Sequence, residues 1–567
     1  MKKNCITGFL LLTLSLTTYA QNNLDSLYNT FLESRGIGGK TKTQNEVQTT
    51  QRDVKCGFGI SADIRTNFNL FTPDQQIILS TLMERRDDLH KSSVSPSKIF
   101  RIHYDTTGIN APKYFTVFGM SDAEIVKMSV DSLAAALDKS YDYEVNYLGY
   151  APPPKDGIKG GDDKYDIYLL NLGDYGATTL DNGSNSSFII IENDFIGSFY
   201  THGIDAAKVT AAHEFHHALQ LGAYGFFDTE RVLHELTSSA MEEFVYDEIN
   251  DYYSFIPDYF NKTFNSLKQF SGYQLPVFYF YLQQKFARTG DPMKGHKIIK
   301  RAWEILKIKG NAVEALSLAL FENGMSLKNA WNEFGIWCYF TSSRTKPGEY
   351  FEEAKNYPLI RQSSPPFQYV PPHKEYTLST SPISNNFLFF EITTSNFRDT
   401  LVSLITNADI ENGKSSPFSK SEIIYTLATS NETGTKKIVN QYYSKLETTF
   451  PDLFVESNIF NNEEVRGSEI NREVLDFAFP QPFVYSNNSS IFIPAEPNIL
   501  EIADLNIYTT GMNLVYSSSK DIIAGEKIVV RWNGMDDSGH RLPTGIYIYV
   551  TKSGDKIKKG KIVIYNE

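Results

Sequence analysis

Within the run Ala211-Ala212-His213-Glu214-Phe215-His216-His217-Ala218, two histidines stand four residues apart and a glutamate follows the first directly. On a helix that spacing stacks His213 and His217 on one face, so both imidazoles can share one metal ion. Glu214 then sits beside the ion's open position without binding it. From there it can take a proton from a water and hand it to a leaving amine. His216 falls off that face and is read as a non-ligand. The alternative is that both histidines are hydrogen-bonded helix residues facing a neighbouring lobe.

A catalytic zinc site needs a third protein ligand and leaves its fourth place to water. The candidates lie in the next apolar-periodic segment, His234-Glu235-Leu-Thr-Ser-Ser239-Ala-Met-Glu242-Glu243. Glu235 is expected to be the ligand, because the 18 residues after His217 allow one helix to end near Gly222–Gly225 and a second to return. Glu242, Glu230 and His234 are its rivals. Glu242 lies two turns further along the same face and could instead orient a ligating histidine through its other ring nitrogen. Tyr252, Tyr253 and Tyr224 are candidates for steadying an oxyanion.

These residues must be positioned by strands followed by a helical block. Period-2 and period-3.6 patterns predict strands at Ile99–His103, Tyr114–Phe118, Tyr165–Leu172 and Ser187–Glu192, and helices at Asp122–Ser140, 204–221 and 231–248. Residues 260–340 read as mostly helical. Upstream, Leu24–Ser34 and Pro73–Leu89 read as helices, the second capped by Thr72, with a Gly/Thr/Gln-rich linker over 37–52 between them. Short Thr/Ser/Ile-rich runs over 373–480 predict an all-β unit. Gly/Asp-punctuated strands over 483–567 predict a small β-sandwich. The paired Asp536-Asp537 is read as a solvated turn, leaving calcium without support.

Composition narrows the partners. The 567 residues carry 41% hydrophobic and 21% charged side chains, as a folded chain does. Net charge is −13, and −15 without the two lysines of the first twenty residues. No basic domain appears, so nucleic acid is set aside. Residues 1–20 read as a signal peptide, a basic start, the apolar run Ile6–Thr18 and a small residue before Gln21. No later apolar run is long enough to span a bilayer, so export to the outside or to the cell surface is expected. Beyond Cys5 of the leader only Cys56 and Cys338 remain, either one disulfide or two buried thiols.

The chain resembles zinc metallopeptidases of the gluzincin type, whose third ligand is a Glu on the helix after His-Glu-x-x-His. It is similar also to a group of bacterial secreted metallopeptidases, through Phe100-Arg-Ile-His-Tyr-Asp-Thr-Thr-Gly108, Tyr165-Asp-Ile-Tyr-Leu169 and Glu235…Met241-Glu242…Tyr246-Asp247…Asn250-Asp251-Tyr252. Where the wider pattern often has a supporting Asp four residues after that Glu, this chain has Ser239. The tail, Val530-Arg531-Trp532-Asn-Gly534-Met-Asp536-Asp537-Ser-Gly539 with Pro543-Thr-Gly545-Ile-Tyr547, resembles the Ig-like domain of flagellar hook-capping proteins and of Bacteroidota secreted proteins.

The expectation is therefore an α+β chain in two lobes, a zincin-like domain followed by two all-β, sandwich-like domains. The segments are a leader (1–20), a helical segment that is a pro-segment or decoration (21–95), the peptidase domain (96–365) and the β-units at 373–480 and 483–567. The function implied is a secreted zinc endopeptidase with His213, His217 and Glu235 as ligands and Glu214 as general base. Its substrates would be proteins or peptides, held as an added strand along an edge in 165–192. An aminopeptidase, using Glu192, Asp194 or Glu230 to grip a free amino terminus, and a non-catalytic surface-binding protein are the alternatives.

Overall fold

The computed structural model describes residues 23–38, 55–361, 381–387, 477–486, 490–496, 502–524, 528–554 and 556–566, and the backbone of short strands between 367 and 447. The leader, most of the 37–52 linker and most of the 373–480 unit lie outside the described residues. The chain divides into two compact units: the described residues of 1–319, 337–366 and 375–389, and those of 320–336, 367–374 and 390–567. The architecture is α+β, with helices dominating the first unit and strands the second.

The first unit begins with helix α1 (23–34), α2 (Phe58–Asn67) and α3 (Pro73–Leu82). Thr72 caps α3 through a reciprocal capping box with Gln75, and Pro73 occupies the first turn where its missing N–H costs nothing. The helix stops at Leu82 and does not run to Leu89 as the periodicity suggests. Arg85 is drawn instead onto Asp181, by two bonds of 2.8 Å, and onto Asp156 at 2.7 Å, and these tertiary ion pairs outweigh helix propensity.

A five-stranded sheet follows in the order β1 (Lys91–Val94), β2 (Phe100–Tyr104), β3 (Tyr165–Leu170), β5 (Ser187–Glu192), β4 (Gly176–Leu180). Strands β2, β3 and β5 run parallel, and β1 and β4 pair antiparallel at the two edges. Every residue of β3 and β5 is buried, as a sheet covered on both faces requires. Helix α4 (Asp122–Tyr141) precedes β3, and α5 (Gly203–Ala223) packs against both α4 and β5.

One expectation fails here, and one strand was not anticipated. Tyr114–Phe118 is not a strand: the Tyr114 N–H donates to Ser129 Oγ at 3.0 Å, its hydroxyl donates to the Glu192 carbonyl, and Val117 and Phe118 are exposed. Strand β4 was illegible because Gly-Ala-Thr-Thr-Leu lacks an apolar alternation. Its place depends on Gly176, where a Cβ would stand 2.8 Å from the Ile190 carbonyl oxygen and 3.2 Å from Glu214 Cγ.

Helix α5 ends at a turn whose Gly225, at φ +100°, donates to the Gln220 carbonyl, a backbone shape that favours glycine. Helix α6 (Arg231–Val245) returns across α5, and α7 (Ile256–Asn261), α8 (Pro276–Arg288), α9 (Lys294–Lys309), α10 (Ala312–Glu322) and α11 (Leu327–Tyr339) complete the helical series.

In the second unit a seven-stranded sheet runs in the order Phe483–Val484, Lys556–Tyr565, Gly545–Ser553, Ile502–Thr509, Leu514–Ala524, Ile528–Trp532, Ile491–Pro494. It folds over on itself, since Thr551 Oγ1 donates to the Pro494 carbonyl at 2.7 Å across strands that are not neighbours. Trp532, Tyr549 and Leu505 fill the interior. Asp536 Oδ1 accepts from the Ser538 and His540 N–H groups, and Asp537 accepts from Ser517, so this acidic pair closes turns. Among the described residues no helix is long and apolar enough to cross a membrane.

A methyl group at Gly176 must push β4 off α5. Gly176→Ala is expected to destabilise the first unit by about 1–3 kcal/mol, read as a lower urea midpoint in tryptophan fluorescence.

Candidate metal centre

The four-residue spacing on α5 brings the rings of His213 and His217 to 4.8 Å, nearly perpendicular, with their Nε2 atoms 3.2 Å apart. Helix α6 delivers Glu235 opposite them, its Oε2 lying 3.2 Å from His213 Nε2 and 3.4 Å from His217 Nε2. Close packing behind Glu235 requires Gly272, at φ +117°, because a Cβ there would stand 2.6 Å from Glu235 Cβ. All three ligand candidates are buried.

Each imidazole is aimed by the hydrogen bond on its other nitrogen. His213 Nδ1 pairs with Glu242 Oε1 at 2.7 Å, and His217 Nδ1 with Gln220 Oε1 at 2.9 Å. Since carboxylate and amide oxygens only accept, these contacts put a proton on each Nδ1 and turn both Nε2 atoms to the centre. Gln220 is fixed in turn: its Nε2 donates to Thr237 Oγ1 at 2.9 Å and to the His234 carbonyl at 3.1 Å. The Phe58 ring stacks on His217 at 4.2 Å, 10° from parallel. Glu242 thus supplies the carboxylate that Ser239 cannot, and Ser239 Oγ itself is buried without a hydrogen-bond partner.

A fourth donor arrives from a distant part of the chain. Cys56 Sγ joins His213, His217 and Glu235 in a buried group whose ligand atoms all lie within 4.8 Å of one another. Tetrahedral zinc, with ligands at about 2.0–2.3 Å, sets neighbouring donors roughly 3.3–3.7 Å apart. The His–His and His–Glu distances match that spacing, so the group can hold a divalent cation such as zinc. Electrostatics agree. Burial works to lower the His213 pKa, yet the Glu235 and Glu242 carboxylates lift it to about 9, so the centre attracts positive charge. Burial works to raise the Glu235 carboxyl, yet His217 and His213 hold it down at about 2. Burial pushes the Cys56 thiol well up, and Glu214 and Glu235 push the same way, so only a cation would stabilise its thiolate.

Glu214 lies on the β4 side of the centre. Its Oε2 accepts from Thr178 Oγ1 at 2.8 Å, while Oε1 is buried with no hydrogen-bond partner. The Tyr273 hydroxyl accepts from the Cys56 N–H at 3.2 Å, with its ring beside His213.

Other candidates are placed elsewhere. His216 points away and pairs with Glu144 at 2.8 Å, where burial holds its pKa well below the ordinary value. His234 Nδ1 bonds Gln220 Oε1, and burial lowers it to about 3. Tyr252 bonds Glu353 and Tyr357, Tyr253 accepts from Asn356, and Tyr224 packs on Trp303, so none is the hydroxyl at the centre. Glu192 accepts from the Leu172 N–H, Asp194 from Ile196, and Glu230 from Ala312 and Lys268. Cys56 and Cys338 are both free thiols. Sequence reasoning missed Cys56, Lys55, Gln220 and Tyr273 at the site. Gly272 before Tyr273 was the one local signal of a close approach.

The donor set corrects the gluzincin resemblance. The ligand atoms do not come from His-Glu-x-x-His plus one glutamate with the fourth place open. The candidate donors are four, drawn from residues far apart in the chain, and the fourth is a cysteine. No family model matches the chain, either here or over the tail that resembles hook-capping Ig-like domains. No curated protein matches it. Two solved structures overlap it slightly. PorZ, a surface component of the type-IX secretion system of Porphyromonas gingivalis, is 18% identical over 21% of this chain and 15% of its own, with a TM-score of 0.13. Dimeric latent PorU of the same organism is 16% identical over 31% of this chain and 19% of its own, also at 0.13. The chain therefore spans less than a fifth of either protein, and overlaps this slight do not say what it is.

Proposed function

We propose that this chain is an exported zinc-dependent endopeptidase, with a two-lobed, zincin-like catalytic domain. One observation carries the reading: three oriented donors converge at tetrahedral spacing beside Glu214, whose Oε1 is buried and unpartnered. His213, His217 and Glu235 would hold the ion. When bound, the ion would supply Lewis acidity toward a carbonyl oxygen and acidify a water. Glu214 would take that proton on Oε1, and Thr178 holds its other oxygen. Glu242 and Gln220 keep the two rings in their donor tautomers, and Tyr273 OH, paired here with the Cys56 backbone, is the hydroxyl that would serve an oxyanion. Endo- over aminopeptidase action is favoured because Glu192, Asp194 and Glu230 are all engaged by backbone N–H groups. Export rests on the leader reading of residues 1–20.

Zinc loading is expected to reach about one ion per chain, counted by inductively coupled plasma mass spectrometry. Gln220→Ala frees the His217 ring and should weaken zinc affinity roughly 10–100-fold in competition with a chelator.

Cleavage is mapped by mass spectrometry in a mixed peptide library. Glu214→Gln should retain zinc and lose about 10²–10⁴-fold in rate, in wild-type and Cys56→Ala backgrounds alike. Equal internal cuts with and without Glu214 would remove it as the base.

A further inference from the structure

The stretch carrying Cys56 does more than deliver a sulfur. It lies along β4, the edge strand of the sheet, in a parallel bridge between Cys56 and Gly176. The Gly57 N–H donates to the Gly176 carbonyl at 2.8 Å, and the Tyr175 N–H donates to the Lys55 carbonyl at 3.1 Å. An extended peptide adds to a sheet edge through just such main-chain bonds. The edge next to Glu214 is thus already covered, by this chain's own backbone. The same three residues put Sγ among the metal donors and place the Cys56 N–H on Tyr273 OH, the hydroxyl that an oxyanion would need.

Side chains fasten the stretch. Lys55, 2% exposed, is bonded to Glu242 Oε2 at 2.5 Å and to Asp251, and its ammonium lies 4.8 Å over the Tyr175 ring. Asp251 Oδ1 accepts from Tyr175 OH at 3.0 Å. Glu242 is the carboxylate that aims His213, so the anchor of the stretch and the orientation of a ligand share one group.

We infer that residues 55–57 stand in the place of an extended peptide substrate, with Cys56 as a displaceable fourth ligand, so that the chain as folded is a latent peptidase. This rests on the peptidase function proposed above. A catalytic site keeps one coordination position open, and here a protein sulfur lies at that position while the substrate's edge is paired. Activation withdraws this latch and returns the fourth position, the β4 edge and the Tyr273 hydroxyl together.

The test compares the full chain with Cys56→Ala, the near-isosteric Cys56→Ser and the double variant Cys56→Ala/Glu214→Gln, each loaded with zinc or cobalt(II). Circular dichroism and metal content establish that all are folded and loaded. Cobalt reads the ligand directly: a thiolate-to-cobalt charge-transfer band is expected in the wild type and absent from both single variants. Cleavage of quenched peptides should rise about tenfold or more in both single variants, as the blocked fraction is released, and vanish in the double variant. Absence of the band from the wild type, or wild-type cleavage equal to that of the variants, overturns the latch and leaves the peptidase function standing. A band in the wild type with no cleavage by any loaded form makes Cys56 the fourth ligand of a structural site, and both proposals fall.

Discussion

The buried ammonium of Lys55 bridges two buried carboxylates, Glu242 and Asp251. Removing one partner of such a group leaves an uncompensated buried charge, at a cost of about 3–5 kcal/mol. The consequence reaches in three directions. Glu242 is held by Lys55 through Oε2 while its Oε1 keeps the His213 ring turned inward. Asp251 fixes Tyr175, whose hydroxyl also accepts from the Tyr200 N–H on the approach to α5. And the segment before α2 is pinned to α6 across 187 residues of sequence.

That pinning explains which parts of the site were legible. His213, Glu214 and His217 could be read because helical periodicity is local: three types at fixed offsets define one face wherever the helix goes. Glu235 and the orienting role of Glu242 followed from a single further assumption, that the next helix returns. Cys56, Lys55 and Tyr273 carry no such signature. Each reaches the centre through tertiary pairing, Cys56 by a β-bridge to Gly176 and Tyr273 through the glycine that lets α6 pass, and neither contact leaves a period in the sequence.

The fold divides along the same line. Strands β3 and β5 and helices α4, α5 and α6 are strongly patterned because each buries an apolar face, and sequence reading found them to within a few residues. Strand β4 was missed because its role is geometric: Gly176 is small so that α5 can lie against it, and Gly-Ala-Thr-Thr makes no apolar alternation. Tyr114–Phe118 erred in the opposite sense, an apolar run whose first N–H goes to Ser129 Oγ instead of to a neighbouring strand. Arg85 cut short a helix that propensity alone would have extended.

A four-donor centre closed by cysteine is also what a purely structural metal site would look like, and the donors alone do not separate the two cases. Glu214 does. A buried acceptor with no partner costs about 1–3 kcal/mol, more when it is charged. A structural site gains nothing from carrying one, and an alanine there would serve the packing of α5 against β4 better. Here Thr178 satisfies one oxygen of Glu214 and leaves the other bare beside the donors. Under the peptidase function proposed above, that atom is where a proton would be received, and Cys56, whose thiol Glu214 faces, would control the site.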